Sequence, residues 1–352
     1  MTDVAVLILH PEPAPRAGEL ERWVAAARAA NAERHRRGFL AAGATSVNVA
    51  SGPPDGRAFG ARLRAFVAGH GADGIVVLGS GAIPLASAAD RRQFVAAAAS
   101  SGGKVVLANN RFSADVIALS VAGNLAELPD LATDNELPRW LAEVAGYDVA
   151  DVRRRWRLGV DIDGPLDLVL IGPRAGMPPA PSGRLDLVTN RLDALRAIAR
   201  NPRAQLIVAG RTSAAGLAWL ERSIAARTRA LVEERGLRTA TPDQRPPRSI
   251  LGALLDRDGP GAVGGILAEL GDAALVDSRV LLAHRLGADE AAWPLPEDRF
   301  ASDLLLHEHI ADPWLRDLTR SAAEAAIPIV LGGHTLVGPG IRLAVGSPGQ
   351  DR

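Results

Sequence analysis

Apolar and polar positions change period in blocks along the first half of the chain. Val4 to Leu9, Ser46 to Ala50, Ile75 to Leu78 and Lys104 to Ala108 are short runs rich in Val, Ile and Leu, the pattern of buried strands. Between them, Glu19 to Ala42, Arg57 to Gly69 and a segment from Ala88 carry apolar residues at helical spacing, with Trp23, Val24, Ala27 and Ala30 on one face of the first. Leu137 to Val144 and Val149 to Trp156 are predicted as further helices, the former opened by Asp134, Asn135 and Pro138. Strand and helix in alternation predict a mostly parallel sheet covered on both faces.

A short apolar strand then runs through Gly159 and Val160 into Asp161 and Asp163. A Gly164-Pro165 break follows and starts an amphipathic helix that ends near Ile171. Residues 172–183 are proline-rich and aperiodic, a linker or surface crossing, so domains are expected over 1–171 and 172–352. The second half is also patterned as α/β. Helices are predicted over Leu185 to Ala199, Ala214 to Arg235, Ser249 to Asp256, Ala262 to Leu270 and Pro313 to Ala326. Strands are predicted over Ala204 to Ala209, Ala273 to Val276 and Ile327 to Leu331. The expected fold class is α/β: an N-terminal three-layer α/β/α domain and a second α/β domain of unrecognised family.

Composition narrows the chemistry. With no cysteine, disulfides, thiolate catalysis and Cys-type metal centres are excluded. Acidic and basic residues balance at 40 each, which argues against nucleic-acid or membrane-surface partners. Lys104 is the only lysine, so an anionic ligand must be held by arginine forks or backbone amides. No apolar run has the length of a membrane span and no signal pattern opens the chain, so a cytoplasmic protein is expected, with a homo-oligomer left open.

Asp161 and Asp163 fall on the same side of an extended segment, and a divalent cation would relieve the repulsion between two such carboxylates. The same residues also fit a strand end with a solvated turn. Upstream, Gly79-Ser80-Gly81-Ala82-Ile83-Pro84-Leu85 links a buried strand to a helix, and Asn109 to Leu119 follows the next strand. In this order, ending in Asp161-Ile162-Asp163-Gly164-Pro165-Leu166-Asp167-Leu168, the first half resembles the nucleotidyltransferases of the glycosyltransferase-A-like fold. It is most similar to the guanylyltransferases of molybdenum-cofactor and phospholactate metabolism.

That resemblance implies Mg²⁺ on Asp161 and Asp163 as catalytic residues. It implies substrate contacts from Arg16 and Gly18, Gly79 and Ser80, and from Asn110, Arg111, Ser113 and Asp115, which fit a hairpin turn equally well. The chain departs from the family in two places. The turn at Gly79-Ala82 has no carboxylate, and Pro11, Pro13 and Pro15 remove amides from the loop that should cradle a triphosphate.

In the second half, Gly210, Arg211, Thr212 and Ser213 join a strand to a helix and offer an anion site at the helix start; an ordinary capped turn reads the same way. Asp277-Ser278-Arg279, His284, Asp303 and Gly332-Gly333-His334 are candidates for a shared cleft, with His334 as phosphate ligand or general acid–base. Arg227, Arg229 and Arg235 are expected along one helix, paired with Glu233 and Glu234. His307-Glu308-His309 is expected to be a solvated surface, and the echo of Arg111-Phe112-Ser113-Ala114-Asp115 in Arg299-Phe300-Ala301-Ser302-Asp303 to be coincidence. Two functions remain open. One is Mg²⁺-dependent nucleotidyl transfer from a nucleoside triphosphate to a phosphorylated cofactor precursor. The other is a non-catalytic scaffold or ligand sensor, with any chemistry in the second domain.

Overall fold

The computed structural model describes residues 2–53, 56–174, 176–234 and 246–346. The chain divides into two compact units. The first holds the segment up to Arg16 and Ala25–Ile162; the second holds Ala17–Val24, Asp163–Arg174 and the chain from Pro179 onward. No helix among the described residues is long and apolar enough to cross a membrane.

Unit 1 runs β1 (Val4–Pro11), α1 (Glu19–Ala41, of which residues 25–41 belong to this unit), β2 (Ser46–Gly52), α2 (Phe59–His70), β3 (Gly74–Gly79), α3 (Ala88–Ala98), β4 (Val105–Ala108), β5 (Val116–Leu119), α4 (Leu137–Glu143) and β6 (Asp148–Asp151). The six strands form one sheet in the order β2-β1-β3-β5-β4-β6. Only β5 runs against its neighbours β3 and β4. Alternation along each strand splits the core in two. Val4, Val6 and Ile8 of β1 cluster with Phe39 of α1 and Phe94 of α3. Leu7 clusters with Leu63 of α2 and Leu141 of α4 on the other face. Two apolar faces on one sheet require two helical layers, and the result is the expected three-layer arrangement.

Two expectations fail locally. Residues 148–151 form edge strand β6, paired in parallel with β4, although a helix was expected from Val149. Four residues on a sheet edge carry too little periodicity to be told from a helix. The segment before Asp161 is a 3-10 turn (Trp156–Gly159), and the strand-like backbone pairing of Asp161 is an isolated bridge to Ala82.

Unit 2 contains α5 (Pro165–Ile171), α6 (Asp186–Ala199), β7 (Gln205–Gly210), α7 (Ala214–Ser223), β8 (Arg227–Val232), α8 (Ile250–Asp258), α9 (Val263–Leu270), β9 (Ala273–Asp277), α10 (Ser278–Leu286), α11 (Pro296–Asp303), α12 (Pro313–Glu324), β10 (Ile329–Gly332), α13 (His334–Val337) and α14 (Ile341–Val345). Its four strands are all parallel, in the order β10-β9-β7-β8. The single long helix expected from Ala214 is a ten-residue helix followed by strand β8, so Arg227 and Arg229 lie on a strand. Arg235 lies outside the described residues.

Candidate functional site

In unit 1 a cavity of about 510 Å³ opens where β1, β2 and β3 end. This is the edge at which α/β sheets take ligands, because strand ends leave loops free to diverge. Its floor is apolar, with Leu7, Val77, Ile117, Phe59 and Phe66. Its polar lining includes Arg28, Arg57 and Arg62, the carboxylates Asp115, Asp134 and Asp161, and the pair His10–Ser80. His10 Nδ1 and Ser80 Oγ are 3.0 Å apart. Burial, reinforced by the Arg28 charge, lowers the His10 pKa and favours the neutral ring.

The turn that carries Ser80 is held by a polar stripe on α1. Asn31 Nδ2 donates to the carbonyls of Ser80 (2.8 Å) and Ala82 (3.1 Å). His35 Nε2 donates to the Ala82 carbonyl at 2.9 Å, and Arg34 donates to Pro84 at 2.7 Å. Ile83 sits between them at φ 41°, a left-handed conformation that a β-branched residue adopts only when its surroundings impose it. Burial, with Arg91 alongside, lowers the His35 pKa to about 3, so the ring is neutral and its Nε2 proton is committed to the turn. Arg28 Nε donates to the Ile162 carbonyl at 2.6 Å, which fixes the chain next to Asp161. A side chain at Gly81 would strike the Asp161 carboxylate, so glycine is required for this close approach. Asn31 and His35 were missed in the sequence. Their signal is polar residues four apart in an alanine-rich helix.

The structure gathers some of the expected residues and leaves others apart. Gly79, Ser80, Asp115 and Asp161 line the cavity. Arg16 is exposed and is not part of the lining. Gly18 packs in unit 2 against Glu297, whose carboxylate accepts from the amides of Leu20 and Glu21, so the start of α1 already holds an anion. Asn110, Arg111 and Ser113 form the β4–β5 hairpin loop. Asn110 accepts from the Phe112 amide, Ser113 donates to Asn135, and the exposed Arg111 lies 5.9 Å from the Phe112 ring. Asn109 Oδ1 accepts from the amides of Asp115 and Val116 and so closes the hairpin.

Asp163 belongs to unit 2 and is absent from the cavity lining. Its amide and that of Gly164 both donate to Asp167, the capping residue of α5. Burial, with Asp163 and Asp303 nearby, pushes the Asp167 carboxyl up to about 8. Among the described residues no group of three His, Asp or Glu side chains is arranged to hold a metal. Asp161 offers one carboxylate, enough only for a Mg²⁺ whose remaining ligands are phosphate oxygens and water.

In unit 2 the carboxyl ends of β7, β9 and β10 meet at a topological switch point, since the chain leaves β7 on one side for β8 and returns on the other for β9. Asp277, 1% exposed, accepts from Arg211 Nε (2.6 Å) and Nη2 (3.1 Å) and from the Arg279 amide. Burial alone would raise its pKa; Arg211, His334 and Arg279 more than offset this and hold it below the usual carboxylate range. Arg279 forms a two-point pair with Asp303, one bond being 2.6 Å. Burial opposes the Arg279 charge, and Asp303, Asp277 and Asp167 raise its pKa regardless.

Asp277, Arg279, Asp303 and His334 therefore do converge. His284 does not: it accepts from the Ser249 amide and contacts Asp256 at 2.9 Å, tying α8 to α10. Glu233 accepts from Ser249 and the Ile250 amide and makes no arginine pair among the described residues. His307, Glu308 and His309 form a 3-10 turn, with Glu308 and His309 exposed. The echoed motifs are a hairpin loop in one case and the end of a helix in the other. The chain matches no protein-family model and no curated protein.

Proposed function

We propose that unit 1 binds a phosphorylated small molecule of nucleotide size in the crevice at the ends of β1, β2 and β3. The observation that carries this reading is the cavity itself: about 510 Å³, apolar at its floor and lined by three arginines and three carboxylates. Such a site suits a ligand with unlike ends. An aromatic base gains from the apolar floor and the Phe59 and Phe66 rings. A ribose diol has carboxylate acceptors in reach of the same space, and phosphates find guanidinium forks. The clamp from α1 keeps the Ser80 turn in place before ligand arrives, which lowers the ordering cost of binding.

A second reading, nucleotidyl transfer to a phosphorylated acceptor, is favoured by Asp161, whose carboxylate lines the same crevice. Mg²⁺ bound there with a nucleoside triphosphate would offset charge on the transferring phosphate. Arg28 orients the backbone beside Asp161, and neutral His10 is able to accept a proton from an acceptor hydroxyl.

A thermal-shift series with each nucleoside triphosphate, with and without Mg²⁺, tests both readings. Stabilisation by one triphosphate that is weakened in Arg57→Gln supports binding. Pyrophosphate release that requires Mg²⁺ and disappears in Asp161→Asn supports transfer. No shift with any nucleotide ends both.

A further inference from the structure

Beyond the crevice, we propose a second ligand site in unit 2: a phosphate-binding site at the start of α7, built from Arg211, Thr212 and the first amides of the helix. Arg211 spends its Nε proton and one Nη2 proton on Asp277. A guanidinium has five N–H donors, so three remain, and none has an acceptor among the described residues. The Asp277 carboxylate is fully buried, whereas the Arg211 side chain is about one-fifth exposed. The acid therefore anchors the inner edge of the fork and aims the outer edge away from itself.

The α7 helix supplies donors beside it. Ser213 caps the helix by accepting from the Gly216 amide at 3.1 Å, while the exposed Ala214 and Ala215 have no acceptor for their amides among the described residues. Ten residues of aligned peptide dipoles stand behind those amides.

The independent sign of a ligand is Thr212. It is only 9% exposed, and its hydroxyl is buried with no hydrogen-bond partner among the described residues. That hydroxyl is turned to the first turn of α7, 3.3 Å from where a Cβ on Gly216 would sit. A buried hydroxyl left unpaired is costly, and a ligand oxygen seated at this turn would satisfy it. Gly210 at φ 129° lets the backbone pass against Asp277, where any side chain would collide. Guanidinium protons, amides and a hydroxyl are all donors, so the complementary group is an oxyanion. The fork geometry favours a tetrahedral phosphate, either inorganic phosphate or the phosphate of a monoester.

The test is isothermal titration of the full-length protein with inorganic phosphate and, separately, with phenyl phosphate. Saturable binding of either one that is weakened in Arg211→Lys supports the site. Tighter phenyl phosphate marks a monoester as its ligand, and equal or tighter inorganic phosphate marks the free ion. Arg211→Lys keeps a cation for Asp277 but removes the fork, and the dissociation constant should rise about tenfold or more with the melting temperature nearly retained. Thr212→Val, close in shape, should weaken binding by a smaller factor. Phosphate held in the crevice would be weakened by Arg57→Gln and left alone by Arg211→Lys, the reverse of the response expected here, which separates the two sites. Absence of binding by both anions, or affinity unaffected in both Arg211→Lys and Thr212→Val, overturns the proposal.

Discussion

The two units use the same edge of an α/β sheet in different ways. Unit 1 leaves an open cavity of about 510 Å³ at its strand ends, with its ions spread around the lining, and the fully buried groups that hold the Ser80 turn, Asn31 and His35, are neutral. Unit 2 fills the corresponding edge with charge, pairing Arg211 with Asp277 and Arg279 with Asp303. The difference is one of dielectric. Neutral donors to backbone carbonyls cost little to bury and can surround an empty space. Buried ions must be neutralised by neighbours at hydrogen-bond distance, so they close up the space between them. On the readings proposed above, unit 1 would take a whole small molecule, and unit 2 one charged group docking on the outer edge of its network.

The comparison is broken most severely by removing one partner of a buried pair. Arg279→Ala strands Asp303 in the interior and is expected to destabilise unit 2 by about 3–5 kcal/mol, read by chemical denaturation.

Next in size are two pH effects of opposite sign. His35 is harder to protonate when folded, at about 3 against 6.5, so the unfolded chain takes the proton first. Its contribution is complete above pH 6.5 and is lost as the pH falls, about 2 kcal/mol by pH 5. Asp167 holds its proton more tightly when folded, at about 8 against 3.8. The native state is thus favoured at low pH, and this contribution declines as the pH rises from 4 to 8, by about 3 kcal/mol at pH 6. Asp167→Asn keeps an oxygen for the amides of Asp163 and Gly164 and does not ionise. Its stability relative to wild type should climb with pH in denaturation curves; a constant gap would contradict the assignment.

The smallest effect is expected at the clamp. Asn31→Ala leaves the Ser80 carbonyl without its donor at a cost of about 1–2 kcal/mol, and loosens the turn enough to weaken nucleotide binding in the crevice, measured by titration.

Much of the architecture was legible because it rests on local periodicity: β1, α1 and β3 each match their apolar pattern, as do α6 and β9. Edge strands were not. Arg227-Thr228-Arg229-Ala230-Leu231-Val232 holds good helix formers, and its edge position lets a strand stay polar, so nothing local marks the end of α7 at Ser223. The period-two spacing of Asp161 and Asp163 predicts two carboxylates on one side of a strand, yet the first lines the crevice of unit 1 and the second sits at the α5 cap in unit 2. The pairings Arg211–Asp277 and Arg279–Asp303 span 66 and 24 residues, distances over which sequence pattern carries no partner information. Asp277 and His334 were expected together because both follow strand ends, where topology does constrain side chains; Asp303 reaches Arg279 from the end of α11, and His284, expected with them, ties α8 to α10 instead.

The most direct test is a crystal structure of the protein soaked with the triphosphate that stabilises it most, together with Mg²⁺. The account predicts the base over the apolar floor near Phe59 and the phosphates against the crevice arginines, with Asp161 facing them. Ordered nucleotide bound elsewhere, with the crevice holding only solvent, would contradict it.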